Sequence, residues 1–335
     1  MQYQRLGKTP IEVSVLGFGA WGVGGRTPGA TSYGETDDKV SLRALHHAAA
    51  SGITLFDTSN VYGAGHSETL LGRAFKSVRN SVIIATKVGW NSYDGPSDFS
   101  AKGMRASLEN SLRRLQTEYV DILQLHNPPT GWLQTQPDIL NTLNTFVSEG
   151  KVRALGVSVR SPEDALALQD HPEIATIQSN FNMMDIRAQE CQLLTRLQEH
   201  QQCLIARTPL CFGFLSGHID RTTVFPDGDH RLGWPVAQRE CWIEGSALFA
   251  RLVQQHGAGP LYEAALRFCF SFQGVATVLA GMLTEDEVSR NVQAVEKGTL
   301  PTRLMDAILE EHGITRFFVH PASPTPPQGL DLAKM

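Results

Sequence analysis

Eight short apolar runs alternate with longer amphipathic segments, and that alternation restricts the possible folds more than any other feature of the chain. The runs are VSVLGFG (13–19), ITLFD (53–57), SVIIATK (81–87), VDILQLH (120–126), VRALGVS (152–158), IATIQ (174–178), CLIAR (203–207) and VATVLAG (275–281). Each has strand length and is rich in Val, Ile and Leu, as expected of parallel strands buried on both faces. The first intervening segment, DDKVSLRALHHAAASG, opens on acidic residues and closes on Gly52, which are helix start and stop signals. SETLLGRAFKSV, AKGMRASLENSLRRLQ, DILNTLNTFVSEG, SPEDALALQDH, RAQECQLLTRLQEH, PLYEAALRFCFSF and TEDEVSRNVQAVEKG follow in turn. Repeated strand–helix units imply a parallel sheet. Eight of them in 335 residues predict an α/β chain folded as a TIM-type (β/α)₈ barrel.

Three segments fall outside the alternation. YQRLGKTPIEVSV reads as an N-terminal β-hairpin turning around Gly7–Pro10. The stretch from Cys211 to Gly259 exceeds ordinary connection lengths and reads as a long loop over the C-terminal face. The Pro-rich end HPASPTPPQGLDLAKM reads as extended tail. The expected organisation is one barrel domain over 1–317 and a tail over 318–335.

A formal charge of −5 without a basic run gives no support to nucleic acid or an anionic membrane as a partner. Five scattered cysteines without a CxxC pair read as reduced thiols of a cytoplasmic protein, and no metal site is expected. MQYQRLGKTP lacks the apolar core of a signal peptide, and no apolar run reaches membrane-spanning length.

In such a barrel the chemistry belongs to the C-terminal strand ends. Asp57 ends the second run, Lys87 the third and His126 the fourth. Ser158, Gln178 and Arg207 end the next three, and Tyr62 follows Asp57 in a Gly-rich loop. Each alone has an ordinary explanation as a cap, a surface cation or a core histidine. Asp, Lys and His on three successive strand ends are costly to bury without a use. A nearby ammonium stabilises a phenolate, so Lys87 is expected to lower the pKa of Tyr62, with Asp57 holding Lys87 in place. Tyr62 then serves as general acid and base, and His126 orients a substrate oxygen. The protein offers no hydride donor, so a cofactor must supply it.

These residues lie in motifs that resemble the aldo-keto reductases: LFDTSNVYGAGHSETLLGRAF, ATKVG, SLRRLQTEYVDILQLH, EGKVRALGVS, IQSNFN and TPLCFGFLSG. The resemblance implies NAD(P)H-dependent interconversion of a carbonyl and an alcohol. It maps the family's four catalytic roles onto Asp57, Tyr62, Lys87 and His126. It also implies nicotinamide contacts from Ser158 and Gln178, and places Arg207 where many members carry a stacking aromatic. The family's Asn after the serine is Val159 here. Pro209, Leu210, Gly213, Leu215 and Gly217 match the loop that embraces the pyrophosphate, and Asn291 matches an adenine contact. NADP-preferring relatives hold the 2′-phosphate with Arg or Lys where this chain has Gly281, Leu283 and Glu287. Glu287 repels such a phosphate and can accept from ribose hydroxyls, so NADP(H) by family habit and NAD(H) stand almost level as expectations.

Trp21, Trp90, Tyr93 and Trp132 are expected at the barrel mouth as a substrate pocket, with Phe212, Phe225, His230 and Trp234 arriving from the long loop. The other reading carried by the resemblance is a nicotinamide-binding regulatory subunit with vestigial activity. A hydrolase or isomerase on the same barrel has little support, because the chain shows no pair of strand-end carboxylates and no GxSxG elbow.

Overall fold

The computed structural model describes residues 1–27, 32–129, 131–168 and 170–319, so all of the expected tail beyond Val319 lies outside the described residues. The strands are β1 (Tyr3–Arg5), β2 (Glu12–Ser14), β3 (Leu16–Gly19), β4 (Leu55–Asp57), β5 (Ile83–Val88), β6 (Val120–His126), β7 (Val152–Ser158), β8 (Ile174–Asn180), β9 (Cys203–Arg207) and β10 (Val275–Gly281). The helices are α1 (Asp38–Ala50), α2 (His66–Phe75), α3 (Ala101–Leu115), α4 (Trp132–Thr135), α5 (Pro137–Ser148), α6 (Pro162–Ala165), α7 (Arg187–Glu190), α8 (Leu193–Glu199), α9 (Val236–Gln255), α10 (Leu261–Phe270), α11 (Glu285–Glu296) and α12 (Thr302–His312). Strands β3 to β10 close a parallel barrel in the order β10-β3-β4-β5-β6-β7-β8-β9, as the alternation predicts.

The hairpin forms where expected, β1 and β2 pairing antiparallel with Tyr3 opposite Ser14. It takes the first half of the VSVLGFG run, so the first barrel strand is only the four residues of β3. Leu6, Ile11 and Val13 of this hairpin are buried against Leu55, Ala85, Ile122, Ala154 and Ile205. The hairpin therefore plugs the N-terminal end of the barrel. The larger apolar cluster lies between the barrel and its helices.

Strand periodicity decides what fills the barrel interior. Leu55, Ala85 and Ile122 share a face with Asp57, Lys87 and Gln124, each one step of two residues further along. The lower inner layer is thus apolar and the upper one polar. A methyl group on Gly156 in β7 would overlap Thr176 Oγ1 and lie 3.2 Å from Gln124 Cγ, so glycine leaves room for Gln124 in that upper layer.

Helix boundaries follow local chemistry. Asp37 caps α1 by accepting from the amides of Lys39 and Val40, and Ser100 caps α3 through Gly103. RAQECQLLTRLQEH divides into α7 and α8 because Gln192 adopts a left-handed conformation, φ 61°. Among its described residues, SPEDALALQDH forms α6 and a 3₁₀ turn over Leu166–Leu168. The 211–259 stretch is corrected most. Its second half is the 20-residue helix α9, which buries Trp242 and Phe249. The irregular portion over the barrel mouth ends by Pro235.

Candidate active site

Parallel register sets the strand-end residues side by side. Asp57 lies opposite Gly19 and Ala85, Lys87 opposite Gln124, His126 opposite Ser158, and Ser158 opposite Gln178. Tyr62 opens a tight turn in which Gly63, Ala64 and Gly65 are all left-handed, with φ of 58°, 51° and 94°. A Cβ on Gly63 would overlap the Gly24 carbonyl, so glycine is required there to bring Tyr62 over the rim.

Lys87 is fully buried. Its Nζ donates to Asp57 Oδ1 at 2.6 Å, the Thr58 carbonyl at 2.8 Å and Tyr62 Oη at 3.2 Å. Asp57 Oδ2 accepts from Gln124 Nε2 at 2.9 Å and Gln178 Nε2 at 2.8 Å. One carboxylate thus ties together groups from β4, β5, β6 and β8. The His126 ring centroid lies 6.3 Å from that of Tyr62, and its Nδ1 is 3.4 Å from Ser59 Oγ.

Burial lowers the Lys87 pKa while Asp57 opposes the drop. His126 is held well below the usual histidine range by burial and by the charges of Lys87 and Arg207, so it is a neutral imidazole. The expectation for Tyr62 is reversed. Burial raises its pKa, the Asp57 charge adds to the rise, and Arg207 is the cation that lowers it. The reason is that Lys87 is already paired with Asp57, so little net positive charge reaches the phenol.

A cavity of about 460 Å³ opens above this layer. Its walls include Asp57, Tyr62, Tyr93, Gln178 and Arg207 on one side, and Gly281, Met282, Leu283 and Glu287 on another. Pro209, Leu210 and Gly213 line it, whereas Leu215, Gly217 and Asn291 are not among its lining residues. Ser158 is buried at the end of β7 and does not line it either. Trp21 lines the cavity. The placement of Trp90 and Trp132 is corrected. Trp90 Nε1 donates to the His126 carbonyl at 2.8 Å, and Trp132 packs on Phe99 with centroids 5.4 Å apart. Both serve as wall supports outside the cavity lining.

Arg207 is 8% exposed, and its Nη2 donates to the Val159 carbonyl at 3.0 Å. No carboxylate pairs with it among the described residues, and its Nε is buried without a partner. Glu287 has a second use that the sequence reading missed. Its Oε2 accepts from the amides of Leu283 at 2.6 Å and Thr284 at 3.3 Å, completing a capping box at the start of α11. Arg290, one turn on, is paired with Asp286 at 2.6 Å.

Sequence reasoning also missed Gln124 and Tyr33. Gln124 was detectable by periodicity, since it lies two residues before His126 on an inward face. Tyr33 had no such signal. It reaches the cavity because Ser32 bridges to Asp229 across the mouth, with His230 N donating to the Ser32 carbonyl at 3.0 Å. Asp229 is gripped by Arg231, whose guanidinium lies 5.0 Å from the Tyr33 ring centroid. Among the described residues, no group of three or more His, Cys, Asp or Glu could hold a metal ion, and no helix is long and apolar enough to cross a membrane.

The model of the Aldo/keto reductase family matches residues 15–311. An aldo-keto reductase of Bacillus subtilis, YhdN, is 33% identical over 71% of this chain and 71% of its own. The L-glyceraldehyde 3-phosphate reductase of Escherichia coli O157:H7 is 30% identical over 93% of this chain and 92% of its own. Among solved structures, the glycerol dehydrogenase of Gluconobacter oxydans superposes with a TM-score of 0.76 at 28% identity, covering 97% of each chain. A closed (β/α)₈ barrel and a family match over nearly its whole length make this chain a member of the aldo/keto reductase family. Its members are oxidoreductases that bind nicotinamide cofactors.

Proposed function

We propose that this chain interconverts a carbonyl and an alcohol with a nicotinamide dinucleotide, using Tyr62 as general acid and base. The observation that carries the reading is the buried Lys87 ammonium, which donates to Asp57, Thr58 and Tyr62 at the floor of an open cavity. A charged lysine in that position is stabilised only by its partners, and of those partners Asp57 and the Tyr62 phenol line the cavity, the phenol being the one that can give up a proton.

The lining fits a dinucleotide. Arg207, whose buried Nε has no partner, Gln178 and Gly213, with φ 97°, line a cavity running to Gly281 and Glu287. Gln178, Arg207, Pro209, Leu210, Gly213, Gly281 and Glu287 would hold the cofactor, with Ser158, Leu215, Gly217 and Asn291 close behind them. When bound, its nicotinamide gives or takes the hydride. In reduction, the Tyr62 Oη proton moves to the carbonyl oxygen as carbon is reduced, and Lys87 stabilises the phenolate left behind. The raised pKa of Tyr62 keeps the phenol protonated at neutral pH, which is the form reduction requires. His126 stands behind the cavity lining with its ring centroid 6.3 Å from that of Tyr62, and as a neutral imidazole it adds no competing charge.

We assign NAD(H) as the preferred form. Glu287 places a negative charge beside the cavity, and the nearby cation Arg290 is already paired with Asp286. The test is a single turnover with NADH or NADPH and a panel of aldehydes and ketones, beside Tyr62→Phe. The reading expects wild type to oxidise NADH while the variant binds it and does not. Binding without turnover in both proteins would favour the regulatory-subunit reading. Failure of both dinucleotides to bind would remove the oxidoreductase reading.

A further inference from the structure

Glu68 is fully buried near the site and has no part in the chemistry proposed above. It stands third in α2, behind the N-cap Gly65. Glu287 holds the same position in α11, where its carboxylate closes a capping box. Glu68 is used differently, because both of its oxygens accept from side chains of other elements. Oε1 accepts from Thr86 Oγ1 at 2.5 Å, and Oε2 from Arg114 Nε at 2.7 Å.

Each partner touches one half of the proton-transfer pair. Thr86 directly precedes Lys87 in β5. Arg114, in the last turn of α3, lies against the turn that carries Tyr62. A Cβ on Gly65 would fall 2.7 Å from Arg114 Cδ and 2.8 Å from its Nε, so the left-handed Gly65, φ 94°, lets the turn rest on the guanidinium. One buried carboxylate thus connects the strand of Lys87 to the seat of the Tyr62 turn. The bond between the two is the longest that Lys87 makes, 3.2 Å to Tyr62 Oη against 2.6 Å to Asp57 and 2.8 Å to Thr58. A displacement of about 0.4 Å takes it outside hydrogen-bond range. Burial lowers the Lys87 pKa, Asp57 is the main opposition and Glu68 a further one, so the Glu68 charge is also felt at the ammonium.

We propose that Glu68, with Thr86 and Arg114, is a positioning element that sets the contact between Lys87 and Tyr62. Its effect on turnover rests on the oxidoreductase reading above, but the contact itself is measurable without turnover. The turn has other anchors, so replacing Glu68 shifts it without unfolding it. Ser67 Oγ donates to the Ala20 carbonyl at 2.7 Å and lies 2.8 Å from Thr58 Oγ1, and the Gly63 amide donates to Thr27 Oγ1 at 3.0 Å.

The test uses Glu68→Gln, which removes the charge that holds Arg114, and Thr86→Val, which removes the hydroxyl at nearly constant shape. Thr86→Ser restores that hydroxyl. Two quantities are measured in each protein. One is the single-turnover rate at saturating NADH and aldehyde, with NADH affinity alongside. The other is the Cζ resonance of Tyr62 in isotopically labelled protein, identified by its loss in Tyr62→Phe. Glu68→Gln and Thr86→Val should each slow the single turnover by about tenfold to a hundredfold, leave NADH affinity within about twofold, and move the Tyr62 resonance. Thr86→Ser should restore both the rate and the resonance. If wild type turns over no aldehyde, yet the resonance moves in both variants and returns in Thr86→Ser, the positioning role stands and the oxidoreductase reading falls. A Tyr62 resonance that both variants leave in place overturns the proposal. So does a Thr86→Ser protein as impaired as Thr86→Val, or a loss of rate matched by an equal loss of NADH affinity.

Discussion

Replacing Asp57 by Asn removes a charge while keeping shape, and the structure indicates what that costs. The carboxylate takes one donor on Oδ1, from Lys87, and two on Oδ2, from Gln124 and Gln178. In the variant the amide oxygen faces Lys87 and the NH₂ faces two glutamine amides. The Gln124 half of that second conflict is relieved cheaply, because Gln124 Oε1 has no partner and the amide can flip to present it. The lost charge is not relieved. Breaking a buried ion pair by removing one member costs about 3–5 kcal/mol. Lys87 can escape by releasing its proton, which at pH 7 costs about 5 kcal/mol relative to a free lysine, so the two routes give similar ceilings. They differ in pH dependence. With native Lys87 neutral and unfolded Lys87 charged, the unfolded state binds one more proton. The variant's stability deficit then shrinks by about 1.4 kcal/mol for each pH unit above 7. Urea denaturation of both proteins at pH 7 and pH 9 measures this. A deficit below about 1 kcal/mol at pH 7 refutes the reasoning, whereas one that pH leaves unchanged shows that Lys87 stays charged in the variant. The double variant Asp57→Asn/Lys87→Met should regain most of the loss and stay inactive.

Acid should also weaken the fold through His230. Its folded pKa is depressed to about 4, so its contribution is complete above the unfolded value near 6.5 and is lost as pH falls toward 4. The loss is about 3 kcal/mol, and His230→Leu should flatten the stability–pH curve across that window. Glu287 separates two roles by chemistry. Glu287→Gln keeps an acceptor for the capping box, so the melting temperature should hold while affinity for NADPH relative to NADH rises about fivefold. Glu287→Ala should lose about 1 kcal/mol of stability as well, measured by denaturation beside cofactor titration.

What the sequence revealed tracks what strands do in one dimension. Period-two faces and the polar residue at each run's end were enough to place Asp57, Lys87 and Gln178 in one layer, because parallel register adds little freedom; His126 stands one two-residue step above it, and Gln124 holds the β6 place. The same rule applied to VDILQLH would have found Gln124. The hairpin was legible from its turn residues. The helices were less so. Gln192 breaks one by a left-handed conformation that its residue type does not announce, and α9 was hidden inside a stretch read as loop. Around the site, the misses are long-range. Tyr33 meets His230 across almost 200 positions, close to the 198 that separate Ser32 from His230 in their hydrogen bond. The Tyr62 pKa depends on burial and on Lys87 already being neutralised, and neither is written locally.

The inner face of the barrel passes from Leu55, Ala85 and Ile122 to Asp57, Lys87 and Gln124 in a single two-residue step. Those polar residues also sit in the strand ladder, so closure of the barrel and the proton chemistry proposed here descend together. Trp21, Tyr33, His230 and Arg231 arrive on loops after β3 and β9 and lie outside the strand ladder. Changes confined to those loops would alter which molecules are accepted while the reaction proposed here stayed the same. The rim can therefore be rebuilt without disturbing the floor.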